Sequence, residues 1–199
     1  MSLKPSYIFS LLKYSGLAVG FGLAASFSAG PAWALATWIG SWDYVLRHDQ
    51  EGKPQAVFAR LRGEDESLLW LTCSRYSAGA ERPDAVSVTA AISQKAYLGR
   101  SAPRGRSTVY WFDDGSPELS YWVYRERAGQ LANSEQVLHF LEKLTQASSL
   151  VVELSNYRFE TLRLEFQFDA SDTKAVAERF RHDCRAISGS IKPDQVAIR

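Results

Sequence analysis

The stretch VYWFDDGSPELSYWVY, residues 109–124, sets two adjacent carboxylates, Asp113 and Asp114, between strongly aromatic segments. Paired carboxylates can divide general-acid and general-base work, as glycosidases do with carboxyl groups about 5 to 9.5 Å apart across a substrate. Neighbours on an extended chain point to opposite faces, so this spacing does not bring both groups onto one substrate. Asp-Gly between two strand patterns is a hairpin signal, and Pro117 reinforces it. The pair therefore reads as turn chemistry.

Other chemistries find no better support. There is no G-x-S-x-G nucleophile motif. His48, His139 and His182 are isolated, without H-x-x-x-H or Cys-pair spacing, so no metal site is expected. No motif implies a cofactor, and the chain reads as a protein that is not an enzyme.

The aromatics flanking the turn are the better binding candidates: Tyr110, Trp111, Tyr121, Trp122 and Tyr124. Alternation puts Trp111 on the face of Val109 and Trp122 on that of Tyr124, so Trp111 with Trp122 and Tyr110 with Tyr121 are read as the two faces. Facing aromatics on paired strands stabilise each other by about 0.2–1 kcal/mol, which accounts for one set without a ligand. The other set is an exposed patch, is covered by a helix, or is a contact surface. Nearby, GRSAPRGRS carries Arg100, Arg104 and Arg106 in a Pro/Gly loop. Arg104 and Arg106 join the candidate surface, for phosphate or a carboxylate-rich partner, against the plainer reading of a solvated loop.

The N-terminus indicates the compartment. Lys4 and Lys13 lead an apolar run from Leu17 that closes on Ala32-Trp33-Ala34, the pattern of a secretory signal peptide cleaved after about Ala34. Its small residues and Pro31 weaken a bilayer-spanning reading, so no integral membrane insertion is expected after cleavage. Residues 1–34 are thus assigned to the signal and residues 35–199 to one exported domain in the periplasm, without linker, repeat or low-complexity tract. Cleavage removes Lys4 and Lys13 and no acid from 23 basic and 22 acidic residues, leaving 21 against 22. That balance argues against nucleic acid as a partner.

Two cysteines in an exported chain read as a disulfide. Leu69, Leu71 and Cys73 share one strand face in LLWLTC, while Val176, Phe180, Cys184 and Ile187 form one helical stripe. A helix laying that stripe on a sheet brings both sulfurs into one layer. There is no C-x-x-C to suggest a redox pair.

The remaining elements follow from periodicity. Strands are expected in SWDYVLRHD, PQAVFARLR, SLLWLTCS, AVSVTAAIS, STVYWF, LSYWVYRE, SLVVELS and TLRLEFQFD. A first helix, NSEQVLHFLEKLTQAS, is capped by Asn133 or Ser134 and buries Val137, Leu138, Leu141 and Leu144, with His139 opposite. A second, about residues 172–187, is capped by Ser171 or Asp172, with His182 facing away. These elements define an α+β fold, a mainly antiparallel, sandwich-like sheet with two helices and one disulfide.

Over residues 66–187 the order LLWLTC, aromatic strand into DDG-x-P, Trp122, VLHFLEKL, LVVELS, FQFDA and a final helix bearing Cys184 resembles the VasI-like (TagO-like) periplasmic proteins associated with type VI secretion. The family's basic residue before the hairpin aspartate is Phe112 in this chain. The resemblance implies an exported, non-enzymatic accessory protein with one disulfide, Cys73 to Cys184, and the first functional expectation is an accessory or adaptor protein that acts by contact with another protein of the cell envelope. From a different class, the aromatic hairpin 109–124 suggests a carbohydrate- or peptidoglycan-binding module.

Overall fold

The computed structural model describes residues 34–76, 85–131 and 133–189, and side chains from residue 36 onward. The expected signal peptide lies outside these residues, apart from Ala34 itself.

The period-two runs form strands. In chain order these are β1 (Ala34–Ile39), β2 (Trp42–His48), β3 (Pro54–Arg62), β4 (Leu68–Tyr76), β5 (Ala85–Ser93), β6 (Arg106–Phe112), β7 (Glu118–Arg125), β8 (Ala128–Leu131), β9 (Ser149–Ser155) and β10 (Thr161–Gln167). Helix α1 (Ser134–Leu144) separates β8 from β9, and α2 (Ala170–Gly189) follows β10. The strands make one ten-stranded sheet in the order β1-β2-β3-β4-β5-β8-β7-β6-β9-β10. Every pairing is antiparallel, so the expected α+β, mainly antiparallel architecture is the observed one. Two strands had not been anticipated: β1, directly after the small-residue run, and the four-residue β8 with its Gly129.

The sheet curls over its own apolar face, which gives it a sandwich-like cross-section. A Cβ at Gly129 on β8 would stand 3.2 Å from Leu154 of β9 and 3.3 Å from the Tyr124 ring of β7. At Gly63, just after β3, it would stand 2.6 Å from the Glu165 carbonyl oxygen of β10. At Gly63 only a residue without a side chain lets the backbones approach so closely, whereas a side chain at Gly129 would require its neighbours to shift by a few tenths of an ångström. The buried apolar side chains form one cluster drawing on β2 through β10 and both helices.

Helix α2 lies across β2, β3 and β4 on the inner face. It buries Val176, Phe180 and Ile187, as the stripe predicted, with Cys184 partly buried beside them. Cys73 and Cys184 are joined by a disulfide with Cα atoms 5.7 Å apart. Asp169 caps the helix, its carboxylate accepting from Ser171 N at 2.8 Å and Asp172 N at 3.0 Å, so the cap lies upstream of the expected Ser171 or Asp172. Polar links continue along the helix: Trp42 Nε1 donates to Thr173 Oγ1 at 3.1 Å, and Tyr44 OH donates to Asp183 Oδ2 at 2.7 Å.

Helix α1 is capped by Asn133, which accepts from Gln136 N at 3.1 Å. Its buried residues are Val137, Phe140, Leu141 and Leu144. The expected Leu138 is half exposed and Phe140 takes its place, because the surface that α1 meets is aromatic: Tyr110, Phe112 and Trp122 ring centroids lie 5.4–6.0 Å from that of Phe140. Among the described residues no helix is long and apolar enough to cross a membrane.

Candidate functional site

The aspartate turn has a structural partner. Asp113 stands at φ 47°, and Gly115 N closes the turn on Phe112 O at 2.9 Å. Asp113 Oδ1 accepts from Ser148 N and Ser149 N, each at 2.9 Å, and from both serine hydroxyls at 3.0 and 3.2 Å. These donors, Ser148 N–H first, hold its carboxyl below the ordinary carboxylate range. Asp113 thus ties the β6–β7 hairpin to the α1–β9 connection. Asp114 is exposed.

Register sorts the aromatics differently from the expected faces. β6 and β7 pair Arg106 with Trp122, Thr108 with Ser120 and Tyr110 with Glu118. Cross-strand partners point to the same side, so Tyr110, Trp122 and Tyr124 share the inner face while Trp111 and Tyr121 share the outer one. Trp122 and Tyr124 are fully buried and Tyr110 nearly so. These three candidate residues are core, and they do not contribute to an exposed platform. Trp122 Nε1 has no hydrogen-bond partner. Burial, with Glu118 beside it, pushes the Tyr110 phenol up to about 12. Its hydroxyl donates to Glu118 at 3.3 Å, and Glu118 also pairs with Lys143 of α1.

Arg106 belongs to the framework. Its guanidinium stacks on the Tyr124 ring at 4.7 Å, and Nη1 reaches the carbonyls of Ser155 at 2.6 Å, Asn156 at 3.0 Å and Leu98 at 3.2 Å. The solvated-loop reading fails for this residue. It describes Arg104, which is exposed; Arg100 is paired with Glu126 at 3.1 Å.

On the outer face, arginines cover aromatic rings at three places. Arg163 lies over Trp111 at 5.1 Å, Arg60 over Trp70 at 5.3 Å, and Arg47 over Phe58 at 5.0 Å. Such cation–π contacts contribute about 0.5–1 kcal/mol at exposed sites, and they explain how a sheet can carry aromatics on both faces. Trp111 is therefore half covered, whereas Tyr121 is 60% exposed.

Two surfaces stand out beyond the hairpin. Register aligns Trp38, Asp43, Arg60 and Trp70 as successive cross-strand partners over β1 to β4, and with Phe58 and Arg47 they line a groove of about 420 Å³. At the β9–β10 turn, which also carries Phe159, Tyr157 lies beside Tyr97 with ring centroids 5.9 Å apart, and Arg158 lies over Tyr157 at 5.3 Å. Phe159 is 82% exposed and held at φ 64°. Asn156 fixes this turn, its side-chain oxygen accepting from Arg158 N at 2.8 Å and Glu160 N at 3.0 Å. Sequence reading passed over both surfaces. The groove was accessible to it, because the alternation that sends Leu69, Leu71 and Cys73 inward sends Trp70 outward.

Among the described residues no group of three His, Cys, Asp or Glu is placed to hold a metal ion.

Fold and surfaces define a disulfide-linked, antiparallel α+β domain with an aromatic tip and an arginine-aromatic outer face. No family model and no curated protein matches the chain. Among solved structures it is similar to the crystal structure of invasion associated protein B from Bartonella henselae, at a TM-score of 0.39 and 10% identity, covering 74% of this chain and 99% of that one. No residue role is transferred from that likeness.

Proposed function

We propose that this is an exported accessory domain that acts by contact with another protein of the cell envelope, through the tip formed by Tyr97, Tyr157, Arg158 and Phe159. The observation that carries the reading is Phe159. A bulky side chain in the left-handed region costs on the order of 1–3 kcal/mol and persists only where the surroundings hold it there. Here the Asn156 turn holds it, and the ring is presented to solvent. Tyr and Arg are enriched among residues that dominate protein interfaces, and rigidly held aromatics lose little entropy on binding.

Export is supported by the Cys73–Cys184 disulfide, since such bonds persist in oxidising compartments, and by the basic, apolar and small-residue order of residues 1–34. The periplasm is the compartment that fits both. The order of features shared with VasI-like proteins makes envelope components of a type VI secretion apparatus the first partners to try. No catalytic role is assigned. The hairpin 109–124 is a weaker sugar platform than its composition suggests, because three of its five candidate aromatics are core.

The test is capture from an envelope fraction with the mature chain and its Phe159→Ser variant, both disulfide-bonded. A defined partner retained by the first and lost by the second supports the reading. The same proteins on both would overturn it.

A further inference from the structure

The outer-face groove over β1 to β4 is separate from the tip and has a charge pattern of its own. Arg60 is paired with Asp43 by its Nε at 2.7 Å and by a second, Nη2 contact. Arg47 lies over Phe58, and no carboxylate partners it among the described residues. Two guanidiniums against one carboxylate leave the groove with one uncompensated positive charge. Trp38, at the β1 rim, is 68% exposed, whereas the other two large rings, Phe58 and Trp70, already carry an arginine.

Each of these features calls for a different part of one ligand. The open indole of Trp38 offers a flat apolar face against which the C–H face of a pyranose ring can stack. The Arg60–Asp43 pair presents N–H donors and carboxylate acceptor sites side by side on the floor, which matches hydroxyl groups, since each both donates and accepts. Arg47, over the Phe58 ring at 5.0 Å, supplies a planar fork for a carboxylate. A volume of about 420 Å³ falls in the range of small-ligand clefts rather than of flat protein contacts.

We propose that this groove binds an acidic saccharide, a sugar ring carrying a single carboxylate, with the ring on Trp38, the hydroxyls over Arg60 and Asp43, and the carboxylate on Arg47. It is independent of the protein contact assigned to the tip, so either can fail without the other.

The experiment measures binding of three probes to the mature, disulfide-bonded chain by tryptophan fluorescence and calorimetry: a trimer of galacturonic acid, the same trimer as its methyl ester, and an acidic hexapeptide. The acid should bind at least about tenfold more tightly than the ester, the scale of one charge-assisted contact. Arg47→Gln should bring acid binding down to the level of the ester and so abolish that preference, and Trp38→Ala should weaken acid and ester alike. Both side chains are at the surface, and circular dichroism with an unchanged melting temperature checks the fold of each variant. Phe159→Ser should bind the acid like the unsubstituted chain. Absence of acid binding, equal affinity for acid and ester, a preference that survives Arg47→Gln, binding that survives Trp38→Ala, or equal competition by the peptide would each overturn the proposal.

Discussion

Tyr44 of β2 donates its phenol to Asp183 Oδ2 of α2 at 2.7 Å, one residue before the cysteine that bonds the same helix to β4. Arg179 lies over the Tyr44 ring at 4.6 Å, and His182 Nδ1 is 3.0 Å from Asp183 Oδ1. Burial holds the phenol well above its ordinary value, with Asp183 adding to the effect. A hydrogen bond and a covalent link therefore fix adjacent points of α2 onto two strands. Tyr44→Phe removes the donor and leaves the largely buried carboxylate short of a partner, a loss of about 1–3 kcal/mol. Urea unfolding of the two proteins with the disulfide intact measures it.

The disulfide closes a segment with a sequence separation of 111. In the chain-entropy model a cross-link over about this length contributes on the order of 4–5 kcal/mol. Unfolding with and without reductant should differ by this order. Thiol counting on the unfolded, unreduced protein should find no free thiol from Cys73 or Cys184.

Asp113 gives a pH signature. Its folded pKa lies below the unfolded value, so the serine donors contribute stability that is present above about pH 4 and is lost as pH falls through the folded pKa. Asp113→Ala should cost on the order of 1 kcal/mol at neutral pH, mostly from the lost hydrogen bonds of an exposed group. Urea midpoints at a series of pH values should show the gap between the two proteins narrowing below pH 4.

The turn was legible in the sequence for a local reason: Asp-Gly between strand patterns specifies a hairpin. What Asp113 holds was not legible, because Ser148 and Ser149 are 35 and 36 residues away. The strand bearing Cys73 and the helix bearing Cys184 were readable from periodicity, since burial on one side imposes it. The hairpin faces were not. Partner numbers across β6 and β7 share the same parity, and a one-residue slip would have put Trp111 with Trp122 as first expected. The same limit explains Leu138 and Phe140, which flank Val137 and Leu141 in the helical stripe. Only the position of Tyr110 and Trp122 decides which flank is buried.

Arg106 was read as a loop cation and serves as a clamp on three carbonyls. Arg106→Lys keeps the charge and loses the planar fork. It should destabilise the protein by about 1–3 kcal/mol, whereas Arg104→Lys at the exposed neighbour should stay within about 0.5 kcal/mol. Thermal melts of the two variants separate framework from surface.

The central claim is that the aromatic tip makes the functional contact. A photo-crosslinking amino acid placed at Phe159 tests it most directly, with Leu138 on α1, half exposed, as the control position. Irradiation in the envelope should give a discrete adduct with one envelope protein from position 159 and none from position 138. Adducts from both positions, or from neither, would contradict the account.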